Sequence, residues 1–461
     1  MRTYQDWLEA KEAGKITEFI RDAITEYMNE PDYKIALDAD EYEAERNTTI
    51  LRFTKMLYNS LGQAMVDFTA TNTRIASNFL HRLTTQRISY SLGNGISFPT
   101  AHTVIEDNKV KIVDETKQKL GKNFDTVLYR AARYALLHKV SFLFWNLDHA
   151  TFFKMTEFMP IFDEDDGLMK VGFRFWSLDW NKRPVTVVVY EEDGYTEYRT
   201  RKGYHGLTDL VESKPKRAYK QTLAKAKVDK EATVVSESNY SALPIIPFWG
   251  NEHKQSDLVG MKAKIDTFDL VKSGFADDVE QCQEIFWIIE NALGMTDDAI
   301  EKFRDKIKLQ KMAVIDAEHV NLKPYQQEIP VNARDTLLKS IREQIYEDYG
   351  ALDVHTVAAG STNDHIDMAY QSMDDEADDF EYQVMQAVQG VLEIIGIEDV
   401  PIFSRNKVSN QKERTQMIND SADHLDEETI LRKYPFLSPD EVEQILARKS
   451  AEDTAAFSSE E

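Results

Sequence analysis

Residues 256–290 repeat their apolar or small side chains at alternating steps of three and four. The spacing averages 3.5 residues, which predicts a long helix that packs lengthwise against other helices. As one helix, this stretch would be ~50 Å long at 1.5 Å per residue. Ser256 and Asp257 are suited to cap its start. The repeating positions, broken only at Lys272, are Leu258, Met261, Ile265, Phe268, Phe275, Val279, Cys282, Phe286 and Ile289.

Two further amphipathic helices are predicted after residue 330. The first covers residues 331–349 and places one apolar face toward a neighbour, through Leu338, Ile341, Ile345 and Tyr349. The second covers about 364–395, and its apolar positions again follow steps of three and four. These positions are Ile366, Tyr370, Met373, Ala377, Phe380, Val384, Val388, Val391 and Ile395.

The first 250 residues change their periodicity once. Residues 1–165 are predicted to be mainly helical, including "NTTILRFTKMLYNSLGQAM" and "FDTVLYRAARYALLHKVSFLFW". Residues 166–250 are predicted to be rich in strands, because "VGFRFWSLDW" alternates and "VTVVVYEEDGYTEYRT" has Asp193-Gly194 at a turn position. "LPIIPFWGN" then forms an extended segment, since each proline disfavours helix at the residue before it.

The remaining segments are short or polar. Residues 286–330 are expected to form a small α/β insertion, with a helix capped at Thr296 and a short strand "KMAVID". Residues 397–450 are expected to be helical, with caps at Asp426 and Ser438, and 451–461 to be a disordered tail. The predicted fold class is therefore α+β, mainly α.

Chain length and composition limit the classes of protein that fit. With 461 residues, the chain exceeds the ~250–300 residues at which one core usually stops growing. The single cysteine, Cys282, excludes an internal disulfide framework and fits a reducing compartment. The N-terminal residues lack the apolar core of a signal peptide, and no apolar stretch reaches the ~18 residues of a membrane span. We expect a soluble protein with no membrane partner.

The formal charge of −25 argues against tight binding of nucleic acid. Phosphate neutralisation by basic side chains supplies much of the affinity of DNA-binding proteins. Two interpretations stay open: an acidic surface that maintains solubility, or one that lies near DNA without binding it. Residues 201–230 differ from the rest, with nine Lys or Arg against three Asp or Glu. Two interpretations of this basic stretch stay open: a solvated hairpin or loop, or a surface that contacts DNA or an acidic partner.

Motifs for catalysis or cofactor binding are absent from the sequence. No Gly-Lys pair has the spacing of a phosphate-binding loop, and there is neither a G-x-S-x-G elbow nor an H-E-x-x-H pair. The acidic run at 163–167 lacks the length and the final Glu of a calcium loop. Cys282 lies on the apolar repeat, where a small core residue is expected rather than a nucleophile. We predict no catalytic residue, metal or cofactor.

One stretch, "ALDVHTVAAGSTNDHIDMA" at residues 351–369, gathers histidines and carboxylates. A metal-dependent hydrolase could use His355, Asp364 and His365. On a helix, however, His365 and Asp367 would point about 200° apart, which does not suit a shared metal. Asn363 and Asp364 are better suited to cap the following helix. The rest of the stretch has the small-residue composition of a mobile loop.

The order of these parts resembles the portal proteins of long-tailed double-stranded DNA bacteriophages of Gram-positive hosts. The resemblance extends over about residues 25–450. It rests on several sequences in the same order: "PIIPFWGN", "SDLVGMKAKIDTFDLVKSGFADDVEQ", "IREQIYEDYG" and "FSRNKVSNQKERTQMINDSADHLDEETILRKYPFL".

The resemblance implies a fold of wing, stem, clip and crown around a channel. Residues 1–255 would be the wing, with a helical first half and a strand-rich part at 166–250. The other expected parts are a first stem helix at 256–285, a clip at 286–330, a second stem helix at 331–350, a tunnel loop at 351–362, a long wing helix at 363–396 and a crown at 397–450.

The resemblance also implies a function and partners. The chain would form a ring, usually of twelve subunits, through which double-stranded DNA is packaged and ejected without sequence specificity. Terminase, a head-to-tail connector or adaptor, and major capsid and scaffolding proteins would bind it. It would be assembled in the host cytoplasm and reside at the portal vertex of the virion. A non-viral helical scaffold and the hydrolase are the alternatives.

Residues facing the DNA are expected in two places. The tunnel loop would contribute Leu352, Asp353, Val354, His355, Thr356 and Val357. On the second stem helix, Lys339 and Arg342 are candidates for basic rings that centre the duplex, the alternative being an ordinary solvated helix face. A conduit should not hold its cargo, because each fixed phosphate contact adds affinity through counterion release.

Overall fold

The computed structural model describes residues 2–406 except for 59–61, 69, 101, 107–108, 177–184, 226–231, 282–285, 291–320, 326–330 and 354–362. Beyond residue 406 it describes Ile418, residues 430–431, Val442 and residues 445–446. The chain divides into two compact units. The first contains Met1–Arg46, Asn78–Lys262 and Gln344–Glu461, and the second contains Asn47–Ser77 and Ala263–Glu343.

The described residues contain ten α-helices and one 3₁₀ turn, which is at Met155–Glu157. None of these helices is both long enough and apolar enough to cross a lipid bilayer. The α-helices are α1 Tyr4–Glu12, α2 Ile16–Asn29, α3 Pro31–Glu43, α4 Thr48–Arg52, α5 Phe79–Leu92, α6 Glu115–Leu120, α7 Phe124–His138, α8 Leu258–Gln281, α9 Val331–Tyr349 and α10 Asn363–Ile395.

The strands of the described residues are mostly short. They are β1 Met56–Tyr58, β2 Ala64–Val66, β3 Ile96–Ser97, β4 His102–Glu106, β5 Lys109–Val113, β6 Val140–Asn146, β7 His149–Lys154, β8 Phe158–Phe162, β9 Met169–Trp176, β10 Thr186–Glu191, β11 Gly194–Thr200, β12 Leu210–Arg217, β13 Lys220–Lys225, β14 Ala232–Ser238, β15 Ile245–Trp249, β16 Phe286–Glu290, β17 Asn321–Tyr325 and β18 Ile402–Phe403. The fold is therefore a mixture of helix and strand.

The largest sheet has five antiparallel strands in the order β12-β11-β10-β9-β8. Its central hairpin, β10 with β11, confirms the predicted turn, although the two turn residues are Glu192 and Asp193. Gly194 opens β11 at a φ of 136°. A Cβ there would lie 2.2 Å from the carbonyl oxygen of Arg217, so the approach of β12 requires glycine.

The first core packs α1–α3 against this sheet. Edge-to-face contacts join the Trp7 ring to Phe173 at 5.3 Å and Phe19 to Phe173 at 6.2 Å. Such aromatic pairs add about 0.5–1.5 kcal/mol beyond their area burial. The Trp7 Nε1–H donates to Glu191 at 3.0 Å, so the indole is satisfied where it is buried. This core fixes the N-terminal helices on the strand-rich part.

The second core joins α5, α7 and α10 to a three-stranded sheet in the order β15-β6-β7. The apolar face predicted for α10 is confirmed: Phe380, Val384, Val388 and Val391 are all buried. Gly390 lets the helix approach the sheet, since a Cβ there would lie 2.9 Å from Ile246 Cγ2. The extended "PIIPFW" segment is confirmed as β15, paired antiparallel with β6.

Two predictions of helix in the first 165 residues are wrong. The sequence from Asn47 begins as helix α4 but continues as the hairpin β1–β2. The predicted helix from Phe124 ends at His138, and "VSFLFW" belongs to β6. In both places the run is short, and a short apolar run fits a strand as well as a helix; "VSFLFW" is also rich in aromatic side chains, which favour strands.

The long apolar repeat from Leu258 is only partly a helix seam. Helix α8 ends at Gln281, and Phe286 and Ile289 belong to strand β16, paired with β17. Leu258, Met261 and Ile265 are buried as expected, but the next buried positions are the polar Asp269, Ser273 and Asp277. The helix therefore changes from an apolar to a polar buried face along its length.

Several expected features lie outside the described residues. They are the helix from Thr296, the strand "KMAVID", Cys282, the caps at Asp426 and Ser438, the tail 451–461 and nearly all of residues 407–450. Helix α9 is observed where it was predicted, with Ile345 and Tyr349 buried and Leu338 and Ile341 half-buried.

Candidate functional site

Helix α9 ends in a backbone motif that sets the direction of the chain at residues 350–351. The Gly350 N–H donates to the carbonyl oxygen of Glu347 at 3.0 Å, and the Ala351 N–H donates to that of Tyr346 at 2.9 Å. These two bonds form a Schellman motif, which places residue 350 in the left-handed region. Its φ is 67°. The helix end and the direction of the loop are therefore fixed by local geometry.

Arg87 of α5 binds the last residue of α9 from the side. Its Nη2 donates to the carbonyl oxygen of Tyr349 at 2.7 Å and to Glu376 Oε2 at 2.8 Å. The guanidinium carbon lies 4.1 Å from the centroid of the Tyr349 ring, a cation–π contact. One side chain therefore joins α5, the end of α9 and α10.

Asp257 completes this group from the residue before α8. The Tyr349 hydroxyl donates to Asp257 Oδ2 at 2.6 Å, and Arg87 Nη1 lies 3.6 Å from the same oxygen. We call Arg87, Asp257, Tyr349 and Glu376 the Arg87 cluster. Because its members come from four parts of the chain, the cluster holds those parts in one arrangement.

The electrostatics of the Arg87 cluster follow from its burial. Burial raises the pKa of Asp257, and the charge of Arg87 opposes this change only in part. Burial likewise holds the pKa of the Tyr349 hydroxyl well above its ordinary value. Burial opposes the charge on Arg87, but Tyr349, Asp257 and Glu376 outweigh it and raise the pKa of the guanidinium. Tyr349 is therefore a neutral donor to a buried acidic group.

Leu352, three residues after the end of α9, is attached beside the cluster. Gln86 Nε2 donates to the carbonyl oxygen of Leu352 at 3.0 Å. The Leu352 side chain packs against a small core of Tyr90, Tyr370, Met373 and Ala377. Within it the rings of Tyr90 and Tyr370 stack at 5.7 Å, and the Tyr90 hydroxyl donates to Asp374 Oδ1 at 2.6 Å. The chain at Leu352 is thus held against α5 and α10.

A second arginine secures the chain that leaves α10. Arg405 donates to Asp374 at 3.0 Å, to Glu381 at 3.0 and 2.9 Å, and to Asp378. The hydrogen bonds to Glu381 are the largest cause of the raised pKa of Arg405. This pairing neutralises part of the acidic face of α10 and fixes residues 404–406 next to the loop base.

The predicted loop residues are only partly described. Leu352 and Asp353 are half-buried at the loop base. Val354, His355, Thr356 and Val357 lie outside the described residues, as do the side chains of Asp364 and His365. Both of the latter belong to α10, which begins at Asn363. The structure therefore does not test a metal site at His355, Asp364 and His365, and elsewhere in the described part it holds no group of three or more ligating side chains.

Lys339 and Arg342, the residues predicted to form basic rings, both lie on α9. Lys339 is exposed on α9, and its Nζ lies 2.7 Å from Asp335 Oδ2, one turn away. This partner raises the pKa of Lys339. Arg342 is half-buried on the same helix. The side of α9 that carries both residues is therefore mixed in charge within one subunit.

In the described part of the chain, three of the nine basic residues of the island at 201–230 form ion pairs with acidic residues of the five-stranded sheet or its loops. Lys214 pairs with Glu197 at 2.5 Å, and Lys216 pairs with Glu191 at 2.8 Å and with Asp193. At the start of the island, Arg201 pairs with Asp209 at 3.3 Å. Neighbouring strands and turns therefore neutralise part of its charge, and the choice between a solvated hairpin or loop and a contact surface stays a prediction.

No local sequence pattern indicates the Arg87 cluster. Asp257 was expected to cap α8, but Ser256 has that role: its Oγ accepts from the Leu258 N–H at 3.2 Å, while Asp257 faces Tyr349. Arg87 and Glu376 look like ordinary surface charges in the sequence. Only the long-range packing of the helices brings them together.

Comparisons with known proteins identify the class of this chain. A family model described as "Phage portal protein, SPP1 Gp6-like" matches residues 28–455. Phage portal proteins are structural components of the virion rather than enzymes. The chain belongs to the SPP1 Gp6-like family of phage portal proteins.

Two curated relatives are portal proteins. That of Clostridium phage phiCD119 is 27% identical over 221 residues, which are 46% of this chain and 49% of the relative, so the match spans about half of that protein. That of Bacillus phage SPP1 is 21% identical over 424 residues, 84% of this chain and 78% of the relative.

Two solved structures resemble this chain, each at 9% sequence identity. One is a chain in the neck of an empty GTA particle with C6 symmetry, with a TM-score of 0.41 over 77% of this chain and 88% of that one. The other is from the neck of a native GTA particle with C12 symmetry, with a TM-score of 0.39 over 80% and 89%.

Proposed function

We propose that the chain assembles into a ring, of twelve subunits, around a channel at one vertex of the capsid. Double-stranded DNA enters through the ring during packaging and leaves through it during ejection. Family membership supports this proposal. In it, α8 and α9 are stem helices, residues 286–330 the clip, residues 351–362 the tunnel loop, α10 the long wing helix and residues 397–450 the crown.

The observation that carries the proposal is the rigid base of the tunnel loop. Arg87 and Gln86 bind the carbonyl oxygens of Tyr349 and Leu352, on either side of the point where helix gives way to loop. A loop that touches a moving duplex must transmit force to the body of the ring. Anchoring its start to α5 and α10 provides that path, because both helices belong to the second core.

The acidic charge of the subunit suits a channel that does not retain DNA. Twelve copies of a chain with charge −25 sum to about −300, which repels phosphate except where basic groups approach the duplex. Lys339 and Arg342 are the proposed basic groups on α9. Residues 352–357 of the tunnel loop are proposed to contact the duplex without holding it.

The partners follow from the same proposal. Terminase, which supplies the packaging motor, docks on the clip during filling. The head-to-tail connector replaces it afterwards, and the capsid and scaffolding proteins surround the wing. Assembly takes place in the host cytoplasm before the ring becomes part of the virion.

Sizing of the purified full-length chain tests the ring. Light scattering and negative-stain electron microscopy should give a symmetric annular particle of about twelve subunits. A monomer at every concentration and salt condition tried would overturn the proposal.

In an assembled ring, replacing residues 352–357 by a Gly-Ser segment of equal length should leave the ring intact and reduce DNA packaging. Unchanged packaging would contradict the role of the loop.

A further inference from the structure

The segment Asn47–Ser77, which we call the arm, is held on α8 by a ladder of polar side chains. Asp277, Ser273 and Asp269 accept the backbone N–H groups of Thr73, Ile75 and Ser77 at 2.7, 3.0 and 3.2 Å. Four residues of a helix rise ~6 Å, and two residues of an extended chain span ~6.6 Å. The helix side chains therefore replace the partner strand that the arm lacks.

The beginning of the arm is fixed to the same face of α8. Asn47 caps α4 with its Oδ1 and donates through Nδ2 to Asp269 at 2.8 Å. Lys55 Nζ lies 2.7 Å from Asp277 Oδ2. Both ends of the arm are thus bound through Asp269 and Asp277, and the hairpin β1–β2 lies between them.

This hairpin exposes apolar side chains on both of its faces. Met56 is opposite Val66 on one face, and Leu57 is opposite Met65 on the other. Every residue of the two strands is exposed. A two-stranded hairpin is at best marginally stable alone in water, and it needs a covering layer. The hairpin is therefore built to be covered on both sides.

The exposed area matches one side of a stable protein interface. The large apolar side chains of the arm with exposed positions are Leu51, Phe53, Met56, Leu57, Tyr58, Met65, Val66 and Phe68, of which Phe68 is 92% exposed. Their exposed fractions together equal a little more than four full side chains, or roughly 650–900 Å² at about 150–200 Å² each. A standard interface buries about 800 Å² per partner, so covering both faces of the hairpin would remove an apolar area of that order from water.

Charge indicates which partner fits the arm. The arm carries three Lys or Arg and one Asp, a net charge of +2, in a chain whose total is −25. A second copy of this acidic chain is therefore complementary to it in charge.

The same unit also offers exposed apolar positions on α8 and α9 that a neighbour could cover, at Leu270, Val279, Val331 and Leu337. A ring needs two different matching patches on each subunit.

We propose that the arm is a contact between subunits, with the hairpin β1–β2 of one copy packed against the next copy of the chain. The inference rests on the proposed ring and assigns residues to its assembly. In this arrangement the ladder on α8 sets the position of the hairpin, and the neighbouring subunit covers its apolar faces.

Paired acidic substitutions test the contact in the full-length chain. Leu57→Glu with Met65→Glu places two charges on one face of the hairpin, where cross-strand neighbours meet. Leu37→Glu, on α3, is the matched control, because Leu37 is exposed to a similar degree outside the arm. We expect the double variant to need at least about tenfold more protein to assemble, as for loss of interface anchors, while circular dichroism matches the control.

The outcomes separate this inference from the proposed function. A wild-type chain that never forms rings contradicts the proposed function itself. Rings that form equally well in the wild type and the double variant overturn only the arm contact, and leave the hairpin for some other partner. Loss of rings in a folded double variant, with rings retained in Leu37→Glu, supports the contact.

A measurement on the wild type covers the case in which the double variant fails to fold. Hydrogen exchange is compared between assembled rings and dilute, dissociated subunits. The amides of residues 56–58 and 64–66 should exchange at least about tenfold more slowly in the ring. Equal exchange in the two states would overturn the arm contact.

Discussion

The guanidinium of Arg87 lies over the ring of Tyr349 and also binds the carbonyl oxygen of that residue. The same tyrosine donates its hydroxyl to Asp257. The end of α9 is thus held by its backbone, its ring and its hydroxyl together. This triple attachment fixes the position at which the chain leaves α9.

Arg87→Ala should destabilise the chain strongly. The substitution leaves Asp257 buried without its cation and removes two hydrogen bonds, and losing one partner of a buried pair costs about 3–5 kcal/mol. Arg87→Lys should lose less, because it keeps the charge but not the planar guanidinium. Urea unfolding of the full chain measures both. Arg82→Ala, on the exposed side of α5, is the control and should change little. Equal stability of Arg87→Ala and Arg82→Ala would contradict the role of the cluster.

Gly350→Ala should cost more than the same change at Gly396. Both glycines end a helix in a Schellman motif with positive φ, at 67° and 73°. A Cβ at residue 350 would lie 2.4 Å from Glu376 Cγ, whereas at residue 396 it would meet nothing within 4 Å. The φ penalty is common to both, so the difference, about 1 kcal/mol or more, reports the contact with Glu376. Thermal unfolding of the two variants gives this difference, and identical values would show that Glu376 moves aside freely.

The sequence predicts some elements well because their signal is local. The apolar face of α10 and the hairpin β10–β11 follow from side-chain periods that a short window contains. The Arg87 cluster could not be found this way, since Arg87 and Tyr349 are 262 residues apart and Tyr349 and Asp257 are 92 apart. The polar face of α8 was missed for the same reason, because Asp277 and Thr73 are 204 residues apart. Polar side chains within an apolar repeat look like interruptions until their partners are known.

Glu191→Gln should reduce stability at neutral pH and lose its effect in acid. Burial opposes ionisation of Glu191, but hydrogen bonds from Lys11, Lys216 and Trp7 outweigh burial and lower its pKa below the ordinary 4.5. A lowered folded pKa means that the ionised carboxylate contributes stability above pH 4.5, and that this contribution is lost as pH falls through the folded value. We expect a loss of about 1–3 kcal/mol at pH 7.

The check on Glu191 is urea unfolding across pH 7 to 3. Glu192→Gln is the control, since the Glu192 side chain is exposed at the adjacent turn position and its nearest cation, Lys170, is 3.7 Å away. Its curve should follow the wild type. A difference between Glu191→Gln and wild type that persists at pH 3 would show that the carboxylate charge is not its source.

Replacing His355 or His365 by Ala should leave ring assembly intact. The proposed function assigns no chemistry to either imidazole, so the variants should also keep most DNA packaging. Sizing and a packaging assay with purified components measure both properties. If either variant instead abolished a metal-dependent hydrolysis present in the wild type, the site would be catalytic.

Asp277→Ala should release the arm from α8. The substitution removes the acceptor for the Thr73 N–H and the partner of Lys55, and a buried donor left unsatisfied costs about 1–3 kcal/mol. Burial opposes ionisation of Asp277, but Lys55 and Thr73 lower its pKa below 3.8, so the stabilisation holds at neutral pH and fades only below that value. Hydrogen exchange at the amide of Thr73 should accelerate at least about tenfold at pH 7. Glu280→Ala, exposed on the same helix, should leave that amide unchanged. If both variants gave the wild-type rate, the ladder would not be what holds the arm, and the hairpin would take its position from another contact.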